Sequence, residues 1–569
     1  MFGCSGSSGD ASTGVGGNSI AVGGNNSVGG AVAGGTSAVN PGGGKPATGG
    51  ATTGVLAMGG SSAVNPSGGS PATGGNPATG GNPATGGNPA TGGNPGTGGK
   101  ATGGNPPTGG TTAIAAGGKT ATGGASATGG AAMGGNPATG GTTAKGGSTG
   151  TYVGTKTPGT AQTGDITVDP TKTYQVVDGF GLADVWQGSS STAMQTLLWD
   201  PVNGIGLNLL RVGIESKSGT SVLMGNAGVA DGKACAQFSG SDCKVWAAPW
   251  SPPAAMKNNN NVNGTGNNTN LAGTADTLKT TSYDAWATLL AAFPAYYKQQ
   301  SGVDLVAISA QNEPDFDPNY EACVYDKTQM VNFIKVLGPK LAALTPPVKV
   351  LAAEPDNWGN LWGGDNYGTA ILADATANSF VGPIATHDYG GTSAGTYARP
   401  APPASNTHPV WETECTPGDT GPITIATMIH AAFTSGGVNG WHYWWTQSFI
   451  PNASSPPAQY YALGNFSKYV RPGYYRVDVT GAPKASGTVP LVSAFTSLKD
   501  GTVTIVVVNG GGAANANFFV AGTAWPASVT PYVTTASSKL AAGTPITVTA
   551  GRFAASITAT SVTTFVGKP

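Results

Sequence analysis

Charge is scarce in this chain. Asp, Glu, Lys and Arg make up 9% of its 569 residues, and the formal net charge is -1. That leaves no basic face to hold nucleic acid or an anionic membrane. Histidine is scarcer still: four residues with no paired spacing, which argues against a metal site of the zinc type. No apolar run reaches the roughly 18 residues that a membrane-crossing helix needs. No glycine-rich phosphate loop and no Ser-His-Asp elbow stands out. Glycine, at 94 residues, and proline, at 41, are what the chain has in plenty.

Much of that glycine lies in residues 1–164, a low-complexity region in which a six-residue unit, GGNPAT, repeats from Gly74 to Thr97. The region lacks the apolar side chains that would offset chain entropy, so it is expected to be a disordered linker. A coil of about 160 such residues spans ~70 Å, enough to tether a catalytic domain to a surface. Of the five cysteines, Cys4 lies apart in MFGCSGSSGD. That stretch resembles the end of a bacterial lipoprotein signal, with Cys4 as a lipid anchor; an incidental cysteine is the alternative. The other four, Cys235, Cys243, Cys323 and Cys415, allow three pairings. Cys235–Cys243 and Cys323–Cys415 suit an extracellular or cell-surface protein, and four free thiols are the competing expectation.

From Val176 to Trp445 short apolar runs alternate with helical stretches. The runs are VVDGFG (176–181), LNLLRVGI (207–214), KVWAAPW (244–250), LVAISAQNE (305–313), VKVLAAEP (348–355), IATHDY (384–389), HPVWETE (408–414) and GWHYWW (440–445). Apolar strands alternating with helices imply a parallel sheet covered on its outside. Eight of them fit an α/β fold, the (β/α)8 barrel, over 165–462. After about Leu463 the runs become short, Val/Thr-rich and alternating, which predicts an all-β sandwich over 463–569, with 166–176 as a contributing strand.

Two glutamates end apolar runs, Glu313 in LVAISAQNEPDF and Glu414 in HPVWETEC. Barrel enzymes carry their chemistry at the carboxyl ends of strands, and the fourth and seventh strands face each other across the mouth. Two facing carboxyls are the minimal equipment for cleaving a glycosidic bond: one protonates the leaving oxygen, the other attacks the anomeric carbon. A solvated loop carboxylate is the plain alternative for Glu313. Asn312 is placed to donate to a sugar 2-hydroxyl. Strand alternation puts Glu412 on the same inward face as Glu414, one layer down, with Arg211 as its candidate partner. Glu414, nearer the strand end, is the candidate nucleophile and Glu412 the second choice. Aromatic residues gather near the same end: Trp186, Trp250, Tyr389, Trp441, Tyr443, Trp444 and Trp445. Trp250, Tyr389 and one of Trp444 or Trp445 are the candidate sugar platforms, and strand alternation means that some of the seven are core. His387 reads as a hydrogen-bonding residue.

These motifs, together with GIGLNLLRVGI, APWSPPAAMK, THDYGG, YWW and NFSKYVRPGYYRVDVT, resemble glycoside hydrolase family 30 from about residue 165 onward. NFSKYVRPGYYRVD and the closing SVTTFV look most like its bacterial xylanase branch. The resemblance implies a retaining β-glycosidase with a side-associated sandwich and no metal or organic cofactor. It puts the acid/base on Glu313 and the nucleophile on Glu414, with substrate contacts at Arg211, Trp250, Asn312, His387, Tyr389, Trp444 and Trp445. The expected function is a monomeric, secreted or surface-tethered endo-β-glycanase whose partner is a polysaccharide, first of all β-1,4-xylan. Open alternatives are β-1,6-galactan or β-1,6-glucan, an exo-acting glucosylceramidase-like enzyme, and a non-catalytic carbohydrate-binding protein. One departure bears on substrate: glucuronoxylan-specific members have arginines after the tandem Trp, whereas Trp445 is followed here by TQSFIPNASS. The Asn-rich stretch after Met256 is expected to reshape the cleft.

Overall fold

The computed structural model describes residues 151–186, 190–216, 222–223, 228–267, 274–389, 399–482 and 490–569. Eight parallel strands close into a barrel: Gly179–Asp184, Leu209–Ser216, Lys244–Pro249, Leu305–Ser309, Lys349–Ala353, Val381–His387, Val410–Glu414 and Gly440–Tyr443. They run around the ring in chain order, and the first pairs with both the second and the eighth. Each corresponds to one of the apolar runs read from the sequence.

The strands are apolar on both faces because each face meets a different core. Along the second strand, Leu210, Val212 and Ile214 point out to the helices. The inward positions hold Arg211 and Gly213. Inside the barrel the packing residues are small or aromatic: Ala183, Val185, Trp246, Ala248, Trp250, Ala307, Leu351, Ala385 and Trp411. The outer layer includes two long helices, Tyr283–Ser301 and Lys327–Ala342. Gly302 stops the first in a left-handed conformation (φ 75°). Asp326 and Gln329 form a capping box at the start of the second.

The second sheet has ten strands. The pre-barrel strand Asp165–Val176 lies within it, antiparallel to Tyr475–Thr480 and parallel to Ala514–Val520. The sheet folds over a core of its own, in which Phe518, Phe553 and Phe565 meet with centroids 4.9–5.5 Å apart. Its strand Val503–Asn509 is buried throughout, and alternation explains why. Val503, Ile505 and Val507 enter the sandwich core, whereas Val506 and Val508 join the barrel's outer core with Leu491 and Phe495. The sandwich is therefore bonded to the side of the barrel by shared apolar packing.

Three expectations need correction here. The disordered linker was expected to run to residue 164, but 151–164 clasp the sandwich. The Tyr152 N–H donates to the Leu498 carbonyl at 2.7 Å, and the Lys156 ammonium reaches the Trp525 carbonyl at 2.6 Å while lying 4.4 Å from that indole's centroid. Gly154 and Gly159 allow this close approach, since a Cβ would sit 2.2 Å from Thr523 and 1.8 Å from the Ala550 carbonyl. Repeats, Cys4 and the rest of 1–150 lie outside the described residues. Among the cysteines, Cys235–Cys243 is a disulfide, but Cys323 and Cys415 are separate buried thiols. Cys415 packs against Met428, its Sγ 3.7 Å from the thioether sulfur. Finally, Trp441 and Tyr443 are not at the mouth; alternation turns both outward into the helix-facing core.

Candidate active site

The mouth is built around one buried cation. Arg211 projects inward from the second strand and is fully buried. Its Nη1 donates to Glu414 Oε2 and its Nη2 to Asn312 Oδ1. Accepting from Arg211 fixes the Asn312 side chain, so its amide NH2 is the group it can offer a sugar hydroxyl. Trp250 and Trp444 flank the guanidinium, with centroids 4.7 and 5.8 Å from it. Trp186, 44% exposed, closes this group, 4.6 Å from Trp250 and 6.0 Å from Trp444. Of the tandem tryptophans, Trp444 joins the aromatic cluster; the Trp445 indole is tied to the Val185 carbonyl at 2.7 Å.

Glu414 ends the seventh strand, and its Oε1 accepts the Tyr389 hydroxyl at 2.7 Å. Glu313 follows the fourth strand in a left-handed conformation (φ 43°), which costs a non-glycine residue energy and re-aims its side chain. Its Oε1 lies 3.1 Å from His387 Nδ1. One oxygen from each glutamate and one His387 nitrogen all lie within 4.8 Å of one another. Glu313, Glu414, His387, Arg211, Asn312, Tyr389, Trp250 and Trp444 are thus brought together at the mouth.

Glu412 does not share that face. The seventh strand carries a register irregularity: Thr386 pairs with Glu412 and His387 with Glu414, leaving Thr413 as an extra residue. The bulge restores Glu414 to the interior while Glu412 points outward. There Glu412 accepts from the Trp441 indole at 2.6 Å, the Trp358 indole at 3.0 Å and Arg399 Nε at 3.2 Å. Its partner is Arg399, not Arg211. Burial and the nearby Asp388 push its carboxyl up to about 8.

A residue absent from the sequence reading completes the centre. Glu354 follows the fifth strand, fully buried and left-handed (φ 58°). Its Oε1 lies 3.1 Å from Arg211 Nη2 and 3.3 Å from His387 Nε2, and its Oε2 accepts from Ser309 Oγ. Burial opposes its charge, but Arg211 and the His387 contact hold its carboxyl below the usual carboxylate range. The signal for it was present: Glu313-Pro314-Asp315 and Glu354-Pro355-Asp356 are the same tripeptide at the ends of neighbouring strands.

His387 takes its charge from this ring of carboxylates. Burial alone would strip its proton; the Glu414 charge and the contacts with Glu313 and Glu354 override it and raise the imidazole to about 10. Burial also presses the Glu414 carboxyl upward, against the pull of His387 and Arg211. By distance alone Glu313, His387 and Glu414 could hold a metal ion. Their chemistry does not suit one, because a protonated imidazole has no lone pair to give and Glu414 is already matched to Arg211.

A parallel barrel with paired carboxyls and an aromatic wall at the carboxyl ends of its strands defines a carbohydrate-cleaving enzyme. Comparison with known proteins makes the assignment. The model for the glycosyl hydrolase family 30 TIM-barrel domain matches residues 233–409. The solved family 30 subfamily 8 xylanase Xyn30A of Clostridium acetobutylicum is 30% identical, with a TM-score of 0.60, over 72% of this chain and 100% of that one. A family 30 endoxylanase of Clostridium papyrosolvens C71 is also 30% identical, with a TM-score of 0.58, over 71% and 100%. Glucuronoxylanase XynC of Bacillus subtilis (strain 168) is 29% identical over 421 residues, 71% of this chain and 91% of its own length. The chain belongs to glycoside hydrolase family 30 and is a glycoside hydrolase.

Proposed function

We propose that this enzyme is a retaining endo-β-glycanase that cleaves β-1,4-xylan outside the cell. The observation that carries the reading is the approach of Glu313 and Glu414 within 4.8 Å, close to the ~5–5.5 Å that retaining enzymes use, with too little room for a water between carboxylate and sugar. In the first step Glu414 attacks the anomeric carbon. The glycosidic C–O bond breaks as Glu313 passes its proton to the departing oxygen. In the second, Glu313 takes a proton from water, the hydroxide attacks the same carbon, and Glu414 leaves as a carboxylate. Arg211 and Tyr389 orient Glu414 throughout. Trp250, Trp444 and Trp186 supply ring faces on which the axial C–H groups of a sugar can pack. Xylan is favoured by the xylanase relatives.

Independence from an acidic branch is part of the proposal. The chain has five arginines, and each has a partner. Arg211 and Arg399 are paired with the buried carboxylates already described. Arg471 donates to the Gly206 and Ser467 carbonyls, Arg476 to Gln175, and Arg552 to Asp165. None is left to clamp a glucuronate. A surface location through Cys4 and the long repeat region would suit action on an insoluble polymer.

Product sizing from linear xylan, glucuronoxylan, β-1,6-galactan and β-1,6-glucan tests this. The expected result is a ladder of oligosaccharides from both xylans, appearing first as the β-anomer. Monosaccharide alone would show exo action, and a ladder from glucuronoxylan only would overturn the branch-independent reading.

A further inference from the structure

We propose that Glu354 is a third working carboxylate of this centre, a positioning residue that fixes Arg211 against Glu414 and His387 against Glu313. The inference rests on the reading of Glu313 and Glu414 as the catalytic pair. Glu354 has no exposure, so it does not touch substrate. What it touches are the two cations that in turn touch the catalytic pair. Arg211 lies 3.1 Å from its Oε1 and donates to Glu414. His387 lies 3.3 Å from the same oxygen through Nε2, and through Nδ1 it lies 3.1 Å from Glu313. A single oxygen thus joins both halves of the catalytic machinery.

The backbone does the same job. The Glu313 N–H donates to the Glu354 carbonyl at 3.0 Å, and the Glu354 N–H donates to the Ala385 carbonyl at 2.9 Å. Glu354 therefore carries the left-handed turn of Glu313 and joins it to the strand that presents His387. Two adjacent glutamates with positive φ cost energy that a merely structural connection would not need.

The bland reading is that Glu354 only balances a buried arginine. Arg211 already has a carboxylate partner in Glu414, so that need is met without it. Charge counting separates the two readings. Three carboxyls, Glu313, Glu354 and Glu414, face two cations, Arg211 and His387. Around them stand Ser309 from the fourth strand, Asn312, Tyr389 edge-on to His387 with centroids 6.0 Å apart, and His442 from the layer beneath, with one further carboxyl, Asp356, which feels both Glu313 and His387 and is itself pushed upward by burial. Replacing Glu354 with Gln removes one negative charge from beside His387. The raised affinity of that ring for its proton then falls back from about 10, and it loses the proton at lower pH.

The test compares full-length wild type, Glu354→Gln and Ser309→Ala on linear β-1,4-xylan, or on an activated aryl β-glycoside if the polymer is not turned over. Thermal midpoints, kcat, KM and the pH profile are measured together. For Glu354→Gln, kcat is expected to fall by about 10²-fold with little change in KM, the scale of loss when reacting groups are misplaced. The basic limb of the profile, set by the first proton lost from the hydrogen-bonded Glu313–His387 pair, is expected to move to lower pH by about one unit. Ser309→Ala frees one Glu354 oxygen while leaving its charge beside His387, so the limb should not move to lower pH, whereas kcat should fall several-fold with KM little changed, and an unchanged kcat would overturn the proposal. It decides the question if Glu354→Gln does not fold. An unmoved basic limb in folded Glu354→Gln, with loss of thermal midpoint alone, would reduce Glu354 to a counter-ion and overturn the proposal. Glu313→Gln and Glu414→Gln run alongside: if either keeps wild-type turnover, the reading of the pair fails, whatever Glu354 does.

Discussion

The floor and the mouth of this barrel are built by the same eight strands, yet their chemistry is opposite. At the floor, Trp246, Trp411 and His442 pack together with centroids 5.6–6.4 Å apart. The Trp246 indole donates to His442 Nε2 at 3.2 Å, which leaves Nδ1–H to donate to the Glu412 carbonyl at 3.0 Å. At the mouth His387 is surrounded by carboxylates. Both histidines have no exposure at all. Burial lowers His442 to about 3, while His387, equally buried, is raised to about 10. Depth in the barrel therefore does not set a histidine's charge; the anions within reach do. A neutral floor and a charged mouth are two layers of one set of strands, one concerned with holding the barrel shut and the other with chemistry.

The comparison breaks most sharply at the mouth. Replacing Glu414 with Ala is expected to cost about 10⁴-fold or more in turnover, the scale seen when a nucleophile is removed, with the fold intact by circular dichroism. Azide should restore part of the rate by occupying the vacated space, giving a glycosyl azide of inverted configuration. Retention of activity without azide would remove Glu414 from the nucleophile role.

A floor substitution should do the reverse. Trp411 is buried and its indole donates to Asp178 at 2.9 Å. Trp411→Ala is expected to destabilise the enzyme by about 3–5 kcal/mol, read as a lower midpoint in denaturant, with unchanged kcat in conditions where it is folded. An intermediate cost belongs to the Cys235–Cys243 bridge, which closes a loop with a sequence separation of 8. Converting both cysteines to Ser should lower stability by about 2.5 kcal/mol on the loop-entropy account.

Titration sharpens the contrast between the two histidines. His442 and His430, lowered to about 3 and about 4, are bases that the folded state keeps neutral. Their contribution is complete above the ordinary histidine range and is lost as pH falls through it toward those values. His387 works in the other direction: its contribution is complete below about 6.5 and is lost as pH rises through about 10. Thermal midpoints should thus decline on both sides of neutrality. His442→Gln should flatten the acid side only. The smallest effect expected is at the sandwich: Lys156→Ala loses a cation–π contact with Trp525 worth about 1 kcal/mol. An assay fragment begun at residue 165 would lose this strap entirely.

Local pattern carried much of the architecture. Each barrel strand is an apolar run because both of its faces are covered, and that property is written in consecutive residues. Glu313 and Glu414 were legible for a related reason: a charged residue closing an apolar run at a strand's carboxyl end is a local signal. Glu354 closes its run in the same way, but nothing in the chain says that its partners come from the second, fourth and sixth strands. Glu412 was misread because strict alternation has no means of foreseeing the bulge at Thr413.

What the sequence determined by itself, then, was the succession of strands and helices, the sandwich that follows them, and the two carboxylates that mark a glycosidase. These depend on spacing along the chain. Only the tertiary structure decided which carboxylates meet a cation, that one histidine is charged and another neutral, that Cys323 and Cys415 stay apart, and that 151–164 belong with the sandwich. Those outcomes depend on contacts between residues distant in sequence, where the local electrostatic field and the packing of opposed faces are set.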